Sequence, residues 1–246
     1  MRRIGWRMTF GISLLVFAVI LYLAEIAIFH RPGDTFFYML QDFAFVPIQV
    51  LLVTLVVNEV LQQREKASLQ HKMNMVVGAF FNEVGDELLQ KLSAFDGDFD
   101  RLRQKALVRA DWTEKDFATA RQFARQSKHA VDSRAASLDD LKVFLMDKRA
   151  FLLGLLGNPN LLEHESFTDL LWATCHLTDE LARRNDLTKL PEPDYDHLSG
   201  DITRAYRELL SEWLSYAAHL RRQYPYMYSL VVRVNPFNPD ASPEIR

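Results

Sequence analysis

Histidine and carboxylate side chains are densest in the second half of the chain, and their spacing there is what could do chemistry. Glu163-His164-Glu165 is followed by Asp169, by His176 with Asp179 and Glu180, by Asp194 with His197, and by Glu208 and Glu212. His176/Asp179 and Asp194/His197 each stand three residues apart, a spacing that puts an imidazole and a carboxylate on one helical face. Imidazole nitrogens with carboxylate oxygens suit divalent transition ions. Glu165, Asp169, His176, Asp179, Asp194 and His197 are therefore candidate ligands for a transition metal. The competing reading makes them solvated helix faces, N-caps and hydrogen-bonded polar groups, the ordinary fate of such residues in an acidic helical domain, with no cofactor bound.

The nearest known pattern is the carboxylate-bridged di-iron bundle, in which two helices each give a Glu-x-x-His and two others each give a Glu. This sequence resembles it loosely: one pair runs His to Asp, and Asp stands where Glu is usual. No Gly-rich phosphate loop, nucleophile elbow, HExxH or CxxC occurs, so no catalytic residue is assigned and a non-enzymatic role is expected. Cys175 is the single cysteine, which forbids an intramolecular disulfide, and its neighbour His176 faces another way on a helix. Asp96-Gly97-Asp98-Phe99-Asp100 begins like a calcium loop. It then places Arg101 where glycine is needed and Leu107 where the bidentate carboxylate belongs, so a turn with Asp98 capping the next helix is expected instead.

The elements that must carry these groups are helices. Asp111 with Glu114 reads as a capped start for a helix to about Val131. Ser137 caps residues 138–156, closed by Gly157-Asn158-Pro159. A third helix begins at Glu165 or Ser166 and ends near Arg184, and a long fourth runs from Asp194 to Tyr224. Residues 226–234 are either a last helical turn or an extended segment. Upstream, Leu69, Met73, Val76, Val77, Phe80, Phe81, Val84, Leu88, Leu92 and Phe95 form one helical stripe, with Gly78 and Gly85 beside it for close approach. The fold class is all-α: a helical stem over 62–95, a helical bundle over 96–234 and a flexible tail over 235–246.

Ahead of the stem the chain is apolar from Met8 to Phe29 and from Phe43 to Val57, enough for transmembrane spans over about 8–29 and 36–61. A signal peptide fits poorly, because a second span follows at once across His30-Arg31-Pro32-Gly33-Asp34. The spans form a hairpin over 1–61, and Pro47 should kink the second. Arg2, Arg3 and Arg7 precede it and Arg64, Lys66 and Lys72 follow it, which places both termini in the cytoplasm of a multi-pass protein of the inner (plasma) membrane. Hairpin arithmetic brings Glu25 near Gln41 and Asp42, either as groups snorkelling to the outer interface or as an oligomeric ion or proton pathway. It also pairs Arg7 with Asn58 and Glu59.

Charge is uneven beyond the spans: Arg101 to Arg134 carries nine Lys/Arg against four Asp/Glu, and Ala135 to Arg246 twelve against seventeen. Arg121, Arg125, Lys128 and Arg134 could meet anionic lipid headgroups. The domain is not basic enough, nor its aromatics so interleaved, as to suggest nucleic acid. The segments Asn158-Pro159-Asn160-Leu161-Leu162-Glu163-His164-Glu165-Ser166-Phe167, Tyr224-Pro225-Tyr226 and Asn235-Pro236-Phe237 resemble an uncharacterised prokaryotic family of two-span membrane proteins. That resemblance implies no activity, cofactor or catalytic residue. The expected function is a membrane-anchored helical scaffold, sensor or accessory subunit, with membrane lipids and either a protein partner or a second copy of itself as partners.

Overall fold

The computed structural model describes residues 6–127, 129–159, 161 and 164–244, apart from the side chains of residues 7 and 66–72. Readings that rest on Arg2, Arg3, Lys128 and Glu163, or on the side chains of Arg7, Lys66, Leu69 and Lys72, fall outside these. The chain divides into two units, Met1–Lys66 and Ala67–Arg246.

In the first unit, α1 spans Trp6–Phe29, and α2 begins at Pro32 and runs to Phe80, so that it contributes to both units. The helices break at His30, whose φ of 55° is the left-handed cap that usually falls to glycine, and its amide donates to the Ile26 carbonyl. Pro32 occupies the first helical position, where its missing N–H costs nothing, so Pro32 and Gly33 lie inside α2 and the turn is made at His30 and Arg31. Pro47 is likewise inside α2, which starts earlier than the expected second span. Leu15, Phe17, Leu51 and Val56 are typical of side chains that stay exposed along both helices. Met8–Phe29 and Pro32–Glu65 are each long and apolar enough to cross a membrane.

The second unit is helical throughout its described residues, apart from connecting turns and one isolated bridge between Asp96 and Val131. The end of α2 passes through a π-helical turn, Phe81–Gly85, into α3, Asp86–Ser93. Met73, Val77, Phe80, Phe81, Val84, Leu88, Leu92 and Phe95 are buried. The Phe80 ring meets Phe167 edge-on at 5.3 Å and Phe81 stacks on Tyr216 at 5.0 Å, so the stripe packs on its own chain. The glycines follow from this: a Cβ on Gly78 would lie 3.3 Å from the Tyr216 hydroxyl, and one on Gly85 would meet the Phe81 ring.

α4 covers Phe99–Ala106, α5 Glu114–Gln126, α6 Leu138–Leu156, α7 Glu165–Ala182, α8 Glu192–Gln223 and α9 Pro225–Arg233. α8 is the axis of the unit, packing on α3, α5, α7 and α9, while α6 covers α7. Its buried residues include Ile202, Tyr206, Leu209, Trp213 and Leu220.

Several boundaries differ from expectation. α5 is capped by Thr113 with Asp116 completing the capping box, not by Asp111 with Glu114, because Trp112 turns inward onto Phe117 and fixes the entry there. It stops at Gln126, short of Val131, since the chain turns extended at Ser127. Asp98 precedes α4 without a capping bond; its amide instead donates to Asp96 Oδ1. α8 starts two residues before Asp194, with Pro193 tolerated in its first turn. In the segment expected to be a flexible tail, Phe237 is buried against Trp213 at 5.4 Å, and Asn235 is buried with its Nδ2 donating to the Val108 carbonyl.

Candidate functional site

The inward face of α7 carries Phe167, Leu170, Leu171, Thr174, Leu177, Thr178 and Leu181. The Thr174 and Thr178 hydroxyls donate to carbonyls four residues back, so no polar atom is wasted in that wall. Along the edge where α7 meets α8, His176 and Glu180 rise from one helix, and His197, Asp201 and Arg204 from the other. Arg184 closes one end: Nε and Nη2 donate to the two Asp194 oxygens at 2.8 and 2.6 Å, and Nη1 donates to Glu180 Oε2 at 2.7 Å. These hydrogen bonds hold the Glu180 and Asp194 carboxyls below the usual carboxylate range and raise the guanidinium further.

Asp201 lies at the floor, its side chain 3% exposed. Arg204 Nη1 donates to Oδ1 at 2.9 Å. His197 Nε2 stands 3.2 Å and His176 Nε2 3.3 Å from Oδ2, yet neither is aligned to hydrogen-bond with it, and Oδ2 has no hydrogen-bond partner. Glu180 completes the ring, 3.9 Å from His176 Nε2 and 3.6 Å from His197 Nε2. One donor atom from each of His176, His197 and Asp201 falls within 4.8 Å of the other two.

Of the six candidate ligands, then, only His176 and His197 converge. Asp179 pairs with Arg149 at 3.3 Å and Asp194 is taken by Arg184, so both predicted three-residue pairs are undone by neighbouring arginines. Glu165 and Asp169 are exposed, Asp169 about 10 Å along the axis from His176. The carboxylates that do converge, Glu180 and Asp201, follow their histidines by four residues. Burial and then Asp179 push the Cys175 thiol up to about 11, away from thiolate chemistry.

The other expected clusters do not assemble. Glu25 is half-buried, Gln41 and Asp42 are exposed, and among the described residues no hydrogen bond or ion pair joins them. Glu59 accepts from Gln63 at 2.7 Å. Arg125 donates to Ser211 at 3.0 Å, and Arg134 is drawn to Glu192 at 2.9 Å while lying over the Tyr195 ring. A second His–Asp pair does exist, at Asp96 and His129, both side chains sealed from solvent. Burial would raise the Asp96 carboxyl, but hydrogen bonds from His129 and the Asp98 amide outweigh it and hold it below its ordinary value.

Two helices long and apolar enough to cross a membrane, followed by a helical unit with a histidine–carboxylate edge, define an all-helical protein without a recognisable catalytic motif. The chain belongs to the family described as uncharacterized protein MJ1433, whose N-terminal helical domain matches residues 2–61 and whose C-terminal helical domain matches residues 69–233. A relative described as "Uncharacterized protein MJ1433", from Methanocaldococcus jannaschii, is 42% identical over 228 residues, covering 93% of this chain and 92% of the relative. No solved structure matches the chain.

Proposed function

We propose that this is a non-enzymatic, membrane-anchored helical interaction protein, a scaffold, sensor or accessory subunit. α1 and α2 hold it in the plasma (inner) membrane with both termini cytoplasmic. The observation that carries the reading is the apolar surface of Met8–Phe29 and Pro32–Glu65, along which no apolar side chain is fully buried within the chain. Leaving one large apolar side chain in water forgoes about 1.5–3 kcal/mol, so a surface of this extent needs a bilayer or another protein around it. The lysines and arginines that flank the two helices supply the orientation. A partner surface is supported by the outer face of α6, where Val143, Met146 and Leu153 share one exposed stripe.

The test is cysteine accessibility in intact cells, with Cys175→Ser as background. Gly33→Cys should react with a membrane-impermeant maleimide from outside, and Glu244→Cys only after permeabilisation. Release of the protein from membranes by alkaline carbonate would overturn the anchor. A monomeric mass in detergent, together with no protein retained from solubilised membranes, would overturn the interaction role.

A further inference from the structure

We infer that His176, His197 and Asp201 form a binding site for one divalent first-row transition-metal ion, with the Glu180 carboxylate within reach as a fourth group. Neither the family descriptions nor the relative assigns any such site. The inference does not depend on how α1 and α2 are housed.

Distance is the first argument. Zinc binds imidazole nitrogen and carboxylate oxygen at about 2.0–2.2 Å, so two donors on adjacent corners of its tetrahedron stand about 3.3 Å apart. The two Nε2-to-Oδ2 separations are 3.2 and 3.3 Å, the spacing of ligands around a shared ion. Hydrogen bonding does not explain that spacing, because Oδ2 has no hydrogen-bond partner despite two ring nitrogens so close. The three donor atoms are close without bonding one another, as atoms are when they point at a common centre.

Burial is the second. Taking a carboxylate out of water is costly unless both oxygens are compensated. Arg204 compensates Oδ1 and leaves Oδ2 facing the two imidazoles. A divalent cation supplies the partner that Oδ2 lacks, and neutral imidazoles are its usual companions.

Support around the donors is the third. Arg204 fixes the Asp201 carboxylate through the oxygen the metal would not use, and Arg184 restrains Glu180 through Oε2. Such outer hydrogen bonds orient metal ligands and set their affinity. The sequence repeats the device: His176 and Glu180 on α7, and His197 and Asp201 on α8, are both His-x-x-x-carboxylate pairs on helices packed together. Two imidazoles select zinc, cobalt, nickel or iron over calcium and magnesium, which prefer oxygen alone. With the imidazoles 46% and 51% exposed, a solvent-facing coordination position stays open for water.

The experiment uses the full chain, untagged, in detergent, stripped with chelator and dialysed. Co2+ is titrated while visible absorption is followed, and Zn2+ is then added as competitor. One Co2+ per chain, displaced by Zn2+, is expected. Affinity should fall by about 100-fold or more in His176→Ala and in His197→Ala, beyond the effect expected of an outer-sphere group. Asp169→Asn, on the same helix but away from the site, should bind as the parent does. Both histidine rings are half-exposed, so an unchanged helical circular dichroism signal is expected and shows that loss of binding is not loss of fold. Absence of a cobalt spectrum and of zinc uptake in the parent, or saturable binding that survives both histidine substitutions, would overturn the site.

Discussion

His129 with Asp96 and His197 with Asp201 are the same two residue types brought together at different places, and they are completed differently. Asp96 accepts from the Asp98 amide on one oxygen and meets His129 Nδ1 at 3.2 Å on the other, while His129 Nε2 lies 3.2 Å from the Ala124 carbonyl. Both ring nitrogens of His129 and both carboxylate oxygens of Asp96 have a partner, and the pair ties the loop after α3 to the chain beyond α5. Asp201 has an oxygen with no hydrogen bond, and both imidazoles beside it open to solvent. A saturated pair serves as a staple, whereas an unsaturated set keeps valence for something else.

Breaking the staple should give the largest effect. Asp96→Ala leaves His129 buried without its partner and should cost about 4 kcal/mol of unfolding free energy, read by denaturant titration of the helical signal in detergent. A loss below about 1 kcal/mol would mean that the pair is only packed, not bonded.

Asp86 sharpens the contrast, since its Oδ1 is also buried without a hydrogen bond. Burial raises its carboxyl to about 6, partly offset by a hydrogen bond with Trp213. A folded-state value above the unfolded one means that stability is fully present below about pH 4 and is lost as pH rises through 6. Between about pH 4 and pH 7 the parent should lose about 3 kcal/mol that Asp86→Asn does not lose, measured by unfolding at each pH. Parallel pH profiles would show that the orphan oxygen is not answered by a proton.

The smallest effect is expected at the open set. Without metal, His197→Ala should change stability by no more than about 0.5 kcal/mol, as surface replacements do. A larger loss in chelated protein would make the cluster a second staple and remove the distinction.

The bundle helices are legible in the sequence because apolar residues recur in them at threes and fours, and α1 and the first part of α2 because they are apolar on every side; the two histidines that converge are legible as well. Their carboxylate partners are not legible from spacing alone, for a physical reason. A helical face tolerates spacings of three and four equally, and which carboxylate turns inward depends on arginines ten and thirty residues away. Arg149 draws off Asp179 and Arg184 draws off Asp194. The repeated His-x-x-x-carboxylate pattern at His176/Glu180 and His197/Asp201 was the signal that would have found the set. The start of α5 was also readable, since Trp112 and Phe117 flank Thr113 at the spacing of a hydrophobic staple. Burial of Phe237 was not, because Asn-Pro-rich sequence has the composition of a loose end until the groove beside Trp213 is known.

The position of α8 in the chain has a consequence for synthesis. Residues 192–223 leave the ribosome after α3, α5 and α7, yet those helices turn their apolar faces to it. At typical translation speeds the stretch from 67 to 192 takes roughly ten seconds, and throughout that interval the earlier helices wait beside the ribosome without the element on which they close.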